Sequence, residues 1–235
     1  MFPPVGTNLE KDILHELHLF MKKKDWEPRF ERFPAYLIEK LDLYEDPRFD
    51  IKSNRDDFDY VYYTKDLIEL SGRKFHKKKN HLNAFLRGCS FEFEPMDYKN
   101  IHECLTFQSR WCAFRKCQET EGLFNEDMAV YEALRSWQAL DTLRGGLIRI
   151  DGKVEALSFG EPLNADTFVV HVEKANPEIR GLYVAINKLC CEKIWPEFKF
   201  VNREQDMGVK AIRNAKLSYN PCNMIKKYIV RPSKD

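Results

Sequence analysis

The stretch GGLIRIDGKVEALSFG, residues 145–160, decides the fold. Residues 147–150 and 154–159 follow the two-residue period of β-strands, and the dipeptide Asp151-Gly152 separates them. Asp-Gly between two such runs is a strong hairpin signal, because both turn positions must tolerate positive φ. A looser connection then leads to a third run at 167–174. The sequence therefore predicts an antiparallel three-stranded meander.

Helices and strands alternate on both sides of this meander. The predicted elements after it are a helix, a strand, a helix and a strand, at 177–194, 198–201, 208–217 and 223–230. Those before it are a strand at 91–95, a helix from Asp97 to about 114 and a helix from Asn125. This order predicts an α+β (α/β layered) fold with helices on both faces of the sheet.

The residues before 70 repeat part of this order. The predicted elements there are helices at about 8–23, 35–43 and 65–70 and a strand at 58–63. Thr7 and Thr64 are the predicted N-caps of the first and last of these helices. We therefore expect a partial unit at 1–88 followed by a complete unit at 89–235.

Composition excludes several classes of protein. Hydrophobic residues make up 43% of the 235 residues, which excludes a disordered chain, and the net charge of +1 excludes a uniformly basic nucleic-acid coat. Seven cysteines form an odd set without metal-ligand spacing, so we expect reduced thiols and no metal site. The sequence has neither a leader pattern nor an apolar run of 18 residues, so it predicts a cytoplasmic protein without a transmembrane segment.

Six segments together form a specific pattern: GRKFHKKKNHLN (72–83), GEPLNADT (160–167), HVEKA (171–175), Gly-Leu-Tyr (181–183), NREQDMG (202–208) and RNAKLSYNP (213–221). They resemble the bacterial family of the phosphatidylglycerol lysyltransferase C-terminal domain. The meander followed by a helix resembles the GNAT acyltransferase fold. The resemblance covers nearly the whole chain from about residue 55. It implies tandem GNAT-like mixed sheets and transfer of an aminoacyl or acyl group from an activated ester to an amine or hydroxyl.

The chain departs from the family pattern at its start, where several elements are missing. We therefore expect the first unit to be incomplete at its N-terminus, with its open edge covered by a homo-oligomer partner or a missing N-terminal half. We likewise expect no counterpart of the membrane domain of full lysyltransferases.

A second departure concerns the donor of the transferred group. GNAT proteins bind the acyl-CoA pyrophosphate at a helix N-terminus, which aligns here with residues 178–183. Glu178 would repel phosphates there, and Tyr183 would crowd the backbone. The resemblance therefore favours aminoacyl-tRNA over acyl-CoA as the donor, and the sequence identifies no cofactor.

His171 and Glu173 are the first candidate catalytic residues. They are two residues apart on a predicted strand, so we expect them on one face, where either could be the general base. Glu161, at the end of the preceding strand, is a third candidate base. The alternatives are a hydrogen-bonded sheet histidine for His171 and a pairing of Glu173 with Lys174 or Arg203.

Lys216 and Tyr219 are predicted as an oxyanion stabiliser and a proton donor. The alternative is a helix-end lysine and a packed core tyrosine. We expect His171, Glu173 and Lys216 to converge in one slot. The candidate substrate-binding residues are Tyr183, Arg203, Glu204 and Asp206, although ion pairs within a loop would explain the last three equally well.

A predicted helix at 73–87 carries a dense set of basic residues: Arg73, Lys74, Lys77, Lys78, Lys79 and His81. Such density can bind successive phosphates of tRNA or anionic lipid headgroups, and the alternative is a solvated charged face. The sequence thus favours a GNAT-superfamily aminoacyltransferase. A non-catalytic polyanion-binding protein and an acyl-CoA N-acetyltransferase are the other two hypotheses.

Overall fold

The computed structural model describes residues 1–6, 9–10, 12–119 and 121–233, and the chain divides into two compact units. The terminal unit consists of Met1–Val61, Glu204–Leu217 and Asn223–Asp235. The central unit consists of Tyr62–Arg203 and Ser218–Cys222. These bounds differ from the predicted division at 88/89, because the last strands of the chain pair with strands from its start. That the chain contains two GNAT-like copies stays a prediction.

The terminal unit is built on a sheet with the strand order β1-β10-β2. The C-terminal strand β10 (Lys227–Pro232) pairs antiparallel with both β1 (Phe30–Pro34) and β2 (Phe49–Ser53). Two helices, α1 (Ile13–Lys23) and α2 (Ala35–Lys40), supply much of the core that covers this sheet. This core is apolar and largely inaccessible to solvent, and its members are Leu14, Met21, Phe30, Phe33, Leu37, Ile38, Leu41, Leu43, Phe49 and Val230.

The terminal unit contains three further elements, which are part of strand β3 (Asp59–Tyr63), helix α8 (Lys210–Leu217) and strand β9 (Asn223–Ile225). Residues 59–61 of β3 pair antiparallel with β9. The predicted single strand at 223–230 is therefore wrong, since β9 and β10 belong to different sheets. Lys226 separates them.

The central unit contains the predicted meander. Its strands are β5 (Arg144–Ile150), β6 (Lys153–Pro162) and β7 (Thr167–Ala175), paired antiparallel in sequence order. Asp151 and Gly152 both have positive φ, 49° and 73°, as the hairpin turn requires. β4 (Glu92–Pro95) pairs with β5, and β8 (Phe200–Asn202) runs parallel to β7. Residues 62–63 of β3 continue the sheet beyond β8.

Helices cover both faces of this sheet. α5 (Ile101–Arg115) and α6 (Glu121–Arg135) enclose one core with the meander, which includes Phe107, Leu134 and Phe159. α7 (Leu182–Lys193) packs on the strands too and contacts α3 (Thr64–Glu69) and α4 (His76–Gly88). The predicted mixed α+β architecture is confirmed.

Several local predictions need correction. Thr64 is the first residue of α3 and not its N-cap, which is Tyr63. α7 begins at Leu182 rather than Pro177, since Gly181 adopts a φ of 87° immediately before it. The strands β1 and β2 were not predicted, because both form by pairing with β10, which is far away in the sequence. The predicted cap Thr7 lies outside the described residues.

The prediction that all seven cysteines are thiols is also wrong. Cys112 and Cys117 form a disulfide, because the turn after α5 brings their Cα atoms to 5.1 Å. Among the described residues, no helix combines the length and apolar character that a membrane span needs.

Candidate functional site

A β-bulge in β7 positions the first group of candidate residues. Phe159 of β6 pairs with Val172 and Gly160 pairs with Val170, so β7 has one extra residue, His171, at this place. A side chain at Gly160 would overlap the carbonyl oxygen of Val169, which explains the glycine. The extra residue reverses the alternation of side chains along the strand. The prediction that His171 and Glu173 share one face is therefore wrong.

His171 lies on the side of α6, at the rim of a cavity. Its Nε2 is 3.2 Å from Oε1 of Glu161, and the Thr142 hydroxyl donates a hydrogen bond of 2.6 Å to the other oxygen of Glu161. The hydrogen bond from Thr142 has the largest effect on the pKa of Glu161 and lowers it. Burial raises this pKa, but the contact with His171 lowers it further, so it lies below the ordinary value. Glu161 is therefore a carboxylate at neutral pH.

The cavity beneath these three residues has a volume of about 280 Å³ and lies between α6 and the meander. Most of its surface is apolar. Its lining comprises Glu126, Ala129, Val130, Ala133, Leu140, Thr142, Leu143, Phe159, Glu161, His171 and Val172.

Glu173 lies on the opposite side of the strand, in contact with α7. It accepts hydrogen bonds from Arg203 at 2.6 Å and from Asn187 of α7 at 2.9 Å. The side chains of Glu173 and Arg203 are both only 11% exposed. Both hydrogen-bond donors therefore already engage the Glu173 carboxylate. Of the two predicted pairings, that with Arg203 is present, and Lys174 instead pairs with Glu126 at 3.2 Å.

Lys78 and Tyr219 complete this second group, which we call the cationic cluster: Lys78, Glu173, Arg203 and Tyr219. The Lys78 Nζ lies 3.9 Å from the centre of the Tyr219 ring, and the Arg203 guanidinium lies 4.8 Å from it. Tyr219 is only 4% exposed, and burial raises the pKa of its phenol well above the ordinary value. The phenol is therefore protonated at neutral pH.

The Lys78 ammonium is the unusual group of the cluster. Burial and then the neighbouring Arg203 lower the pKa of Lys78 to about 8. Glu173 favours its charge but is already paired with Arg203. Within the described part of the chain, Lys78 has no carboxylate partner within ion-pair distance. Lys78 therefore loses its proton at a pH much lower than an exposed lysine does.

Three further candidates, Glu204, Asp206 and Lys216, lie in the terminal unit. The Lys216 ammonium donates hydrogen bonds to the carbonyl oxygens of Glu204, at 3.1 Å, and Gln205, at 2.7 Å. It thus helps to fix the loop that begins at Glu204. The predicted convergence of Lys216 with His171 and Glu173 in one slot is wrong, since the latter two already face opposite sides of β7. The role of Lys216 in the reaction stays a prediction.

Asp206 is the centre of the same loop. Its buried carboxylate accepts hydrogen bonds from Arg213, Tyr60 and the backbone of Gly208. Burial alone would raise the pKa of Asp206, but the bonds from Arg213 and Tyr60 lower it well below the ordinary value. These contacts explain Asp206 as a structural ion-pair residue, the alternative that the sequence left open.

The basic residues of 73–81 do not act as one set. Lys74 pairs with Asp66 at 2.7 Å, and Lys78 turns toward Tyr219. The other four, Arg73, Lys77, Lys79 and His81, are exposed. Of the six predicted basic residues, these four are therefore exposed and not engaged in the contacts just described.

The comparisons with known proteins fit this architecture. The model of the family "Phosphatidylglycerol lysyltransferase, C-terminal" matches residues 1–231. The chain belongs to this family.

Solved structures resemble this family member along its full length. A protein of unknown function from Bacteroides thetaiotaomicron is 35% identical, with a TM-score of 0.90 over 99% of this chain and 78% of that one. L-PGS from Bacillus licheniformis is 16% identical, with a TM-score of 0.63 over 96% and 74% of the two chains. FemX is 7% identical, with a TM-score of 0.58 over 99% and 80%. The last two likenesses concern the fold.

A curated relative is less informative about activity. An uncharacterised protein of Mycoplasmoides gallisepticum is 22% identical over 174 residues, which are 73% of this chain. The match spans only 55% of that protein's length.

The N-terminus of α7 distinguishes this member from the acyl-CoA-binding pattern. A side chain at Gly181 would overlap the backbone carbonyl oxygen of His81, so this glycine allows close packing on α4. The Tyr183 hydroxyl accepts a hydrogen bond of 3.2 Å from the Trp111 indole. A carbonyl oxygen and a fixed phenol at this helix start do not suit a pyrophosphate. The residues present therefore do not fit acyl-CoA bound in the usual way.

Sequence reasoning missed two residues of these groups. Thr142 and Asn187 carry no local signal, because their partners Glu161 and Glu173 lie 19 and 14 residues away. Lys78 was predicted only as one of several phosphate-binding lysines. The signal that distinguishes it is its place on the inner side of α4, one turn before the buried Leu82.

Proposed function

We propose that this chain is an aminoacyltransferase that moves an aminoacyl group from the 3′ end of a tRNA to an acceptor amine or hydroxyl. Membership of the phosphatidylglycerol lysyltransferase C-terminal family supports this class of reaction. The acceptor attacks the ester carbonyl carbon, and the bond to the terminal ribose oxygen breaks. The proton lost by the acceptor ends on that ribose oxygen.

The cationic cluster is the observation that carries the proposal. Acyl transfer places negative charge on the carbonyl oxygen in the transition state, and fixed cations in a dry setting stabilise such charge. Lys78 is a half-buried ammonium beside the buried Arg203–Glu173 pair. Because its pKa is about 8, it can also give a proton to the leaving ribose oxygen near neutral pH. The chemistry then needs positioning and charge stabilisation but no covalent enzyme intermediate.

Two features support tRNA as the donor. The start of α7 does not suit a CoA pyrophosphate, as the contacts of Gly181 and Tyr183 indicate. The exposed Arg73, Lys77, Lys79 and His81 precede or share the helix that carries Lys78, so phosphates bound there would lie close to the cluster. We therefore propose that this surface binds the acceptor arm of the tRNA.

The test compares Lys78→Gln with Lys99→Gln, a change at an exposed lysine of the same unit that lies outside the basic surface. Labelled aminoacyl-tRNA from a bulk charged fraction is incubated with the chain and with acceptors of both classes, phosphatidylglycerol vesicles and small primary amines. We expect transfer by the wild type, a loss of about 10²-fold in Lys78→Gln as for removal of one oxyanion donor, and near-normal transfer in Lys99→Gln. Binding of tRNA should survive in Lys78→Gln.

Three outcomes would contradict the proposal. Transfer at the wild-type rate in Lys78→Gln would remove this residue from the mechanism. Binding of tRNA without any transfer would favour a polyanion-binding protein. A rise in melting temperature with acetyl-CoA but not with tRNA would favour acyl-CoA chemistry, since only a ligand that binds the native state stabilises it.

A further inference from the structure

We infer that the outer side of α6 is a self-association surface, on which a second copy of this chain docks antiparallel through the same residues. This inference does not depend on the proposed function. The observations that carry it are an exposed apolar stripe with the spacing of a helix–helix contact and two opposite charges, one at each end of that stripe.

The stripe runs along the whole of α6, and we call it the α6 seam. Its members are all exposed and recur at alternating intervals of three and four residues: Glu121, Phe124, Met128, Tyr131 and Arg135. At about 100° per residue they fall within an arc of about 80° on the helix surface. This is the spacing of the a and d positions of a heptad, which form the contact line between two packed helices.

The apolar members of the seam are exposed although α6 already has a buried side. Phe124, Met128 and Tyr131 are 45%, 48% and 40% exposed. Val130 and Leu134, by contrast, are buried in the core that α6 shares with the meander. A surface helix ordinarily has one apolar side, with polar residues opposite. The second apolar stripe therefore indicates that α6 packs against a further surface.

The charges of the seam identify that surface. Two α6 helices related by a two-fold axis at Met128 run antiparallel to each other. Glu121 and Arg135 are each seven residues from Met128, so Glu121 of each copy faces Arg135 of the other. A parallel arrangement would bring like charges together, which is unfavourable. The seam is thus complementary to itself in one orientation, as a two-fold interface requires.

Arg135 can make this contact at little cost. Its ion pair within α6, with Glu132, has an N–O distance of 3.5 Å, and both side chains are 58% exposed. Exposed pairs of this kind add little to stability. The Arg135 guanidinium also lies 5.7 Å from the centre of the Tyr131 ring, which places it along the seam. Exchange of Glu132 for Glu121 of a second copy therefore sacrifices little.

The size of the contact determines the affinity that we expect. α6 has 15 residues, so a pair of these helices is small beside the interface of a permanent dimer. We therefore expect a reversible dimer with a Kd in the micromolar range.

Sedimentation equilibrium of the full chain, at protein concentrations that span the micromolar range, tests the inference. We expect the wild type to convert from monomer to dimer. Met128→Asp places two carboxylates at the two-fold axis and should raise the Kd at least about tenfold, as for loss of a central contact. Leu163→Asp is the matched control, since Leu163 is exposed in the same unit but lies outside α6, and its Kd should be unchanged.

A charge exchange tests whether the partner is a second copy. Glu121→Arg makes both ends of the seam positive, and Arg135→Glu makes both ends negative. Each variant alone should dimerise at least about tenfold more weakly than the wild type, because like charges then face each other. An equimolar mixture of the two should dimerise about as tightly as the wild type, which also shows that both variants fold.

The inference is overturned if the wild type stays monomeric at every concentration or if Met128→Asp dimerises as the wild type does. It is equally overturned if the two charge variants do not associate when mixed, or if Leu163→Asp loses the dimer too. A wild type that stays monomeric and binds lipid vesicles through Phe124 and Met128 would assign the seam to a membrane surface instead.

Discussion

At the scale of single residues, His171 contacts Glu161 on one side of β7, Glu173 pairs with Arg203 on the other, and Lys78 faces Tyr219. The run at 73–81 and the pair His171 and Glu173 were recognisable as functional candidates from their types alone. Their separation in space depends on one inserted residue in β7 and on which side of α4 faces inward. The bulge is not visible in the sequence. Position 160 requires a glycine only because the Val169 carbonyl oxygen lies so close to it in the folded sheet. The residue types were thus predictable, and their partners were not.

The partly buried charge of Lys78 should lower the free energy of unfolding of the protein. The charged form of Lys78 is desolvated in the native state, so Lys78→Met should raise the melting temperature at pH 7 while it lowers transfer as Lys78→Gln does. Because the native-state pKa, about 8, is below the ordinary value, the unfolded chain binds the proton more tightly. The increase in melting temperature caused by Lys78→Met should therefore be largest below pH 8 and should decline as the pH rises toward the ordinary lysine pKa.

Differential scanning calorimetry at several pH values measures this effect. Lys79→Met is the matched control, since Lys79 is exposed and adjacent, and its melting temperature should stay close to that of the wild type. A loss of stability in Lys78→Met at pH 7 would show that the ammonium is not desolvated as described.

At the scale of elements, the prediction succeeded where local chemistry determines structure. The hairpin at Asp151-Gly152 needs only a turn with positive φ between two runs of period two. The strands β1 and β2 need the distant β10 to form a sheet, so no local signal marks them. The start of α7 likewise depends on a tertiary contact, the approach of Gly181 to α4.

Gly181 provides a test of that contact. Its φ is 87°, and an alanine there would also overlap the His81 carbonyl oxygen. Gly152→Ala is the matched control, because Gly152 has a φ of 73° but open space around it. We expect Gly152→Ala to cost about 1–2 kcal/mol, the backbone strain alone. Gly181→Ala should cost about 1–3 kcal/mol more, the added cost of overpacking.

Denaturant unfolding followed by far-ultraviolet circular dichroism measures both changes. Equal losses in the two variants would contradict the close packing of α7 on α4. They would also remove one argument against acyl-CoA at this helix start.

At the scale of the whole molecule, the family match covers residues 1–231 and therefore both compact units. The order of elements allowed the α+β architecture to be predicted, because a meander flanked by alternating helices and strands is typical of a sheet covered by helices. The unit bounds were not predictable from that order. Both ends of the chain contribute to the sheet β1-β10-β2, and pairing between strands almost 200 residues apart leaves no local trace.

The pH dependence of aminoacyl transfer tests the central claim most directly. If the charged Lys78 stabilises the transition state, the single-turnover rate constant, corrected for spontaneous hydrolysis of the ester, should fall as the pH rises through about 8. In Lys78→Arg the cation persists, so the fall should disappear from this range even if the rate is lower. A rate that falls at the same pH in both proteins, or does not fall in the wild type, would contradict the account.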